Sequence, residues 1–317
     1  MSDLKGKRVL ITGATGFIGA NLARHFLKKG SRVHIFTRKQ SDRWRLKGVL
    51  NDVRDYRTDL LDAEGTLKSV LAIRPQVILH TAVYGGYPHQ NEADSIFKLN
   101  VLGGLNLINA CRKTDFELFV NTGSSSEYGI KSRPMKETDI AAPSSYYGAS
   151  KSAMTFLCKE ISLKEGLPIT TLCLFSPYGY YEDKARLIPS VILSCLKGKP
   201  PKLSSPLPVR DFVFIEDILE AYEKAVKNPG CVKSEVINIA SGRQASVAET
   251  ADTILKIAGS KKAVKWGAVK NTRVEPKRWQ ADITKAENTI GWKPGHSLAE
   301  GLEKTFEWFR QNSGLYR

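Results

Sequence analysis

Three glycines spaced three residues apart, Gly13, Gly16 and Gly19, follow directly on the apolar run Val9–Thr12 and open a helical pattern over Phe17–Lys29. Strand, abrupt glycine turn and helix in that order aim the unpaired N–H groups of the helix N-terminus back across the strand end. A diphosphate is held at such a place, and a side chain larger than hydrogen would block it. Glycine loops also occur as plain turns, and the spacing is GxxGxxG rather than the commoner GxGxxG. Strand, helix and position early in the chain nevertheless all fit a dinucleotide cradle made of Gly13, Thr15, Gly16, Phe17, Ile18 and Gly19.

The pattern that follows extends this start into a fold. Strand-like segments at 32–37, 53–58, 76–82, 117–121 and 169–174 alternate with helical segments at 63–72, 92–113 and 145–165. Near-continuous apolar strands between helices predict a parallel sheet covered on both faces, a doubly wound, Rossmann-type α/β architecture. Prolines and glycines then punctuate 175–209, before a strand at 210–215, a helix at 217–227 and a strand at 236–239. The division predicted is a dinucleotide-binding domain of 1–175 plus about 210–242, and a smaller C-terminal α+β domain of 176–209 and 243–317 with helices at 247–258 and 298–310.

Bulk properties narrow the function. No apolar stretch approaches the roughly 18 residues of a membrane span, and no signal peptide is visible, so a cytoplasmic protein without membrane association is expected. The five cysteines are scattered without a CxxC and read as free thiols; the five histidines form no HExxH, so no metal site is indicated. The net charge of +16 suits anionic ligands, but no nucleic-acid motif accompanies it.

The end of the second strand bears on the cofactor. A carboxylate there binds the ribose diol of NAD, whereas an arginine accommodates the 2′-phosphate of NADP. Residues 21–40 contain no Asp or Glu, and the strand ends Thr37-Arg38-Lys39. Arg38 therefore favours NADP, with NAD as the alternative; a solvated Arg38, or one stacked on adenine, is the competing reading. Asp59 is placed to contact adenine, or to act as a helix-capping residue near Leu60.

Tyr147 and Lys151 stand four residues apart, on one side of a helix. A phenol of ordinary pKa near 10 is a poor base, and a neighbouring ammonium favours its ionised form. Lys151 can also hold the nicotinamide ribose. Tyr146 lacks such a partner, its i+4 residue being Ser150. A hydroxyl from the serine run Ser124-Ser125-Ser126 would complete the set.

Together with His80-Thr81-Ala82, Asn100-Val101-Leu102-Gly103, Arg210-Asp211-Phe212 and Ala281-Asp282-Ile283, these motifs resemble the extended short-chain dehydrogenases/reductases, a family of nucleotide-sugar epimerases, dehydratases and ketoreductases. The resemblance spans nearly the whole chain. It implies that Thr81, Ala82 and Asn100 adjoin the cofactor, that Ser124 is the catalytic hydroxyl beside Tyr147, and that Ser124, Ser125, Ser176, Arg210 and Arg273 meet a nucleotide-diphosphate sugar. Arg278 competes with Arg273 for the diphosphate. Ser176 stands where the family has Asn, and Cys173 where it has Arg. Dehydratases and decarboxylases of the family carry an acid one or two places after the catalytic Ser/Thr. Here those places are Ser125 and Ser126, and Glu127 comes one step too late. The expectation is an NADP-dependent 4-ketoreductase of an NDP-4-keto-6-deoxyhexose, with an NAD-dependent NDP-sugar epimerase as the alternative and a 4,6-dehydratase ranked below both. The resemblance also implies a homodimer through helices 92–113 and 146–165, with Ile96, Leu99, Leu107, Met154, Leu157 and Ile161 as an apolar seam, unless these face the sheet instead. The loop Tyr84–His89 either reaches the sugar or is an ordered turn.

Overall fold

The computed structural model of the protein describes residues 4–87, 89–270 and 276–316. Seven parallel strands form the central sheet: β1 (Arg8–Thr12), β2 (Arg32–Thr37), β3 (Arg54–Arg57), β4 (Val77–His80), β5 (Leu118–Ser124), β6 (Ile169–Leu174) and, later in the chain, β10 (Val236–Ile239). Their spatial order is β10-β6-β5-β4-β1-β2-β3. The chain winds outward from β1 to β3, then crosses back to place β4 on the other side of β1. That reversal makes β1 and β4 the switch point, where the crevice outside the strands' carboxyl ends receives ligands in such sheets.

The alternation of side chains along each strand assigns the two faces. Val9, Ile11, Val33, Ile35, Val77, Leu79, Leu118 and Val120 point into one apolar core, while Leu10, Phe36, Ile78 and Phe119 point into the other. The second core is closed by α2 (Ala63–Ile73), α4 (Gly104–Cys111) and α5 (Tyr146–Glu165). The first is closed by α1 (Phe17–Lys28) and α7 (Ile215–Lys227), and continues without a break into α6 (Leu187–Leu196), α9 (Val247–Ile257) and α11 (Leu298–Asn312). The C-terminal segments thus share a core with one face of the sheet.

Two elements differ from expectation. The helix over 92–113 is interrupted: α3 (Ala93–Phe97) passes through a π-helical stretch, Lys98–Gly103, before α4. Asn100 lies in that stretch, and its side chain accepts from Tyr84 N and donates to Tyr84 O, both at 2.8 Å, so the wider turn goes with a loop anchored from within the helix. The expected strand 210–215 is instead two short pieces. β8 (Val209–Arg210) pairs antiparallel with β11 (Ala245–Ser246), and β9 (Val213–Phe214) pairs with β7 (Pro177–Tyr178). Asp211 breaks the run: its buried carboxylate turns inward and accepts from Ser241 N and Oγ, Gly242 N and Ala281 N.

Of the residues expected to form an intersubunit seam, Ile96, Leu107, Met154 and Ile161 are buried within the chain, and Leu99 and Leu157 pack against the second core. The sheet needs their apolar stripe. Of the cysteines, Cys111, Cys158 and Cys173 are buried, Cys195 is half-buried and Cys231 is exposed, all as free thiols. No helix among the described residues is long and apolar enough to cross a membrane, and none of their His, Cys, Asp and Glu side chains cluster as a metal site.

Candidate active site

The glycine turn and β4 meet at the switch point. Gly13 has φ +70°, and a Cβ placed on it would lie 2.5 Å from Ala82 N and 2.7 Å from the Thr81 carbonyl carbon. Only glycine allows both this conformation and this approach. Thr81 secures the neighbouring strand end, its N–H and hydroxyl both donating to Thr12 O. Gly19 packs equally hard, its would-be Cβ 2.4 Å from Gly13 O, whereas Gly16 is exposed and touches only that same oxygen at 3.2 Å. Gly16 is also the N-cap of α1 and brings no side chain to cap the first-turn N–H groups. This is a cradle that fits a diphosphate. Thr15 is half-buried, its carbonyl accepting from Arg45 at 3.4 Å; Phe17 lines the cavity described below and Ile18 packs on the first core.

The other predicted cofactor positions distribute along the carboxyl edge of the sheet. Arg38 is exposed just beyond β2, and Arg57 at the end of β3 donates to Arg38 O at 3.0 Å. The carboxylate nearby, Asp55, is occupied by the Thr37 hydroxyl at 2.6 Å and by Arg43 at 2.8 Å. Asp59 is not the helix cap expected as one alternative: it accepts from Leu61 N in the turn before α2, and Asp62 caps the helix. Leu60 is buried in the second core. Asn100 does not line the cavity. It holds Tyr84 and, at 2.9 Å, the Ser150 hydroxyl of α5.

A cavity of about 870 Å³ opens from this edge, and Ser124, Ser125, Ser126, Tyr147, Ser176 and Arg210 all contribute to its wall. Local structure explains why Ser124 and Tyr147 meet. β5 ends at Ser124 in a tight 3₁₀ turn, Ser125–Glu127, in which Ser124 Oγ accepts from Ser126 N and Glu127 reaches back to Ser124 N at 2.7 Å. Helix α5 starts at the Ser145 cap, and a Cβ on Gly148 would lie 2.5 Å from Ser126 O. That glycine lets the first turn of α5 press against the 3₁₀ turn, and Tyr147 joins Ser124 on the cavity wall.

Burial raises the Tyr147 phenol, while the Ser124 hydroxyl and the Arg186 charge work against this. Lys151 is itself buried, which lowers its pKa, and Glu127 is the group that chiefly favours its charge. An extended segment would carry Glu127 away, but the 3₁₀ turn folds its carboxylate back onto Ser124 N, outside the cavity wall.

Other side chains complete the site. Trp279 lines the cavity, donates from Nε1 to Ser125 Oγ at 3.1 Å, and lies 5.8 Å from the Arg210 guanidinium. Arg210 also donates to Val209 O at 2.7 Å. Arg278 turns instead to Ser132 O. Arg273 lies outside the described residues. Trp279 and Arg186 had no motif to mark them; each comes to the cavity from a distant segment.

His80, the last residue of β4, is fully buried with Nδ1 2.7 Å from Thr12 Oγ1. Burial, helped by the Lys151 charge, holds its imidazole at about 3. An unfolded chain titrates near 6.5, so between those values the unfolded state binds more protons. The stability this represents is present above about pH 6.5 and is lost as pH falls toward 3. The denaturation midpoint should therefore decline between about pH 6.5 and 4, and decline less in His80→Gln. Parallel declines in the two proteins would show that His80 does not carry the effect.

Fold and site together define a Rossmann-type α/β protein with Ser124, at the end of β5, and Tyr147 on the wall of one cavity. A model of the NAD dependent epimerase/dehydratase family matches residues 9–240, and the chain belongs to that family. It is 26% identical over 96% of its length to a dTDP-glucose 4,6-dehydratase of Xanthomonas campestris, 93% of which is covered. It is 28% identical over 98% of its length to an uncharacterized UDP-glucose epimerase of Bacillus subtilis, 99% of which is covered. The solved structure of Thermus thermophilus UDP-glucose 4-epimerase in complex with NAD superposes with a TM-score of 0.84 at 26% identity, covering 96% of this chain and 99% of that one.

Proposed function

We propose that the protein is an NADPH-dependent reductase of a 4-keto sugar nucleotide, an NDP-4-keto-6-deoxyhexose. The observation that carries this reading is a Ser124–Tyr147 pair on a cavity wall whose next two positions are Ser125 and Ser126, with the Glu127 carboxylate folded away beneath Ser124. Removal of a proton beside a ketone, as dehydration demands, needs a base there; protonation of a carbonyl oxygen does not. A nicotinamide held at the switch point supplies the hydride. The chain supplies the rest: Ser124 hydrogen-bonds the carbonyl oxygen and Tyr147 delivers the proton to it as charge develops. Arg210 grips the diphosphate of the substrate, with Ser125 and Ser176 beside the sugar. Residues 176–209 and 243–317 form the sugar-nucleotide half, and 1–175 with 210–242 the dinucleotide half.

Arg38 and Arg57 support NADP over NAD, because Arg38 is exposed just beyond β2 with Arg57 bonded to its carbonyl, and the nearby Asp55 carboxylate is taken by Thr37 and Arg43. Arg38→Glu should shift the ratio of NADP to NAD affinity toward NAD by about 100-fold, two charge-assisted contacts being lost and repulsion gained; titration calorimetry with each nucleotide reads it. An unchanged ratio removes NADP from the proposal. The second reading, an NAD-dependent epimerase, is supported by relatives of that activity and uses the same hydroxyl pair. Loss of NADPH absorbance on adding an NDP-4-keto-6-deoxyhexose supports reduction. Interconversion of two sugar epimers with no net cofactor consumption replaces it with epimerisation.

A homodimer is part of the same proposal. Exposed Phe97 on α3, Leu102 in the π-helical stretch, and Phe156 and Leu163 on α5 form the apolar surface for it, in place of the buried seam expected from the sequence.

A further inference from the structure

Much of the net charge of +16 lies outside the active site, and two segments without an acid concentrate it. Residues 197–209 contain Lys197, Lys199 and Lys202. Residues 256–270 contain Lys256, Lys261, Lys262, Lys265 and Lys270, and neither segment contains Asp, Glu or Arg. Backbone bonds lace the two together: Lys265 N donates to Pro201 O at 2.8 Å, Leu203 N to Lys265 O at 3.1 Å and Gly267 N to Ser204 O at 2.9 Å. All eight lysines are exposed, and none is ion-paired among the described residues. Lysines on other faces are paired, as Lys164 is with Glu160, Lys227 with Glu223 and Lys285 with Glu235.

Apolar side chains stand out among these ammoniums: Leu207 is 80% exposed, Val269 51% and Trp266 39%. Leu207 is held outward by its neighbours Pro206 and Pro208, whose carbonyls accept from Ala248 N and Val247 N. We propose that this face docks on an anionic lipid bilayer. Aliphatic groups enter the acyl margin, an indole settles at the headgroup level, and long lysine stems let their ammoniums reach lipid phosphates. Lipid is favoured over nucleic acid because Leu207 and Val269 can neither stack on a base nor pair with it, and both segments lack the guanidiniums that grip phosphate bidentately. Docking of this kind needs no spanning helix. Leu203 and Ser204 line the active-site cavity, so the docked face adjoins its rim. The inference is independent of the reaction performed there.

The test is flotation of the full chain with vesicles of phosphatidylcholine alone and of an equal mixture with phosphatidylglycerol. Binding should be confined to the anionic vesicles and weaken with added salt. Lys262→Glu/Lys265→Glu should lower vesicle affinity about 100-fold. Arg32→Glu/Arg54→Glu makes the same change in net charge at the amino end of the sheet and should leave it unaltered. Leu207→Ser/Trp266→Ser should lower it about 10-fold while retention on heparin stays the same; if that pair does not fold, Val269→Ser reads the same direction. The proposal is overturned by no preference for anionic vesicles, by equal losses in the two charge-reversed variants, or by vesicle affinity unchanged when the apolar groups are removed. Binding to an oligonucleotide without binding to vesicles also overturns it.

Discussion

Tyr147→Phe should lower turnover by about three orders of magnitude, roughly 4 kcal/mol of transition-state stabilisation, while cofactor affinity stays within a few fold. The substitution removes one oxygen and nothing else. The ring keeps its place against Gly85, and the helix that carries it keeps its Ser145 cap and its contact with the 3₁₀ turn. What disappears is the O–H that faces Ser124 and the cavity. Ser124 and the bound hydride donor would still polarise and reduce a carbonyl slowly, with water as proton source, which sets a floor above zero. Single-turnover measurement with saturating NADPH separates the chemical step from binding. A variant retaining a tenth of wild-type turnover would show that the proton comes from elsewhere.

Gly13→Ala should damage stability and cofactor binding together. The added methyl meets two penalties at once. An alanine at φ +70° costs about 1 kcal/mol, and its Cβ falls 2.5 Å from Ala82 N, a backbone atom of the strand end that cannot rotate away. Relieving the overlap means parting the glycine turn from Thr81 and Ala82, which adds a further 1–3 kcal/mol or so. Thermal and urea unfolding should show the loss, and nucleotide affinity should fall about 100-fold as the cradle shifts. Gly16→Ala is the contrast. Its φ of −82° suits alanine and the added carbon has Gly13 O alone near it, at 3.2 Å. It should unfold close to wild type yet bind nucleotide poorly, since the methyl points where phosphate would lie. Equal stability of the two variants would remove the packing argument for Gly13.

Much of this fold could be read from residue order because its signals are local. The run Val9–Thr12, the glycine spacing and the helical stripe after them are properties of consecutive residues, and the parallel sheet follows from their repetition. The breaks in that reading lie where a distant group intervenes. Asp211 interrupts an apolar run because backbone N–H groups thirty and seventy residues away, at Ser241, Gly242 and Ala281, converge on its carboxylate. Asn100 sits in a π-helical stretch with its side chain on a loop sixteen residues earlier. No window of sequence contains both partners in either case.

The same distinction divides the site. Sequence alone determined that a strand-glycine-helix cradle stands at one edge of a parallel sheet, that Tyr147 and Lys151 share a helix side, and that no carboxylate follows the second strand, since each depends only on spacing and backbone periodicity. Tertiary structure alone decided which charge each group meets. Glu127 reaches back to Ser124 N because a single 3₁₀ turn reverses its side chain, and Arg186 joins Tyr147 on the cavity wall from a distant segment. Electrostatic energy falls with distance and rises with burial, and both quantities exist only once segments remote in the chain have packed together.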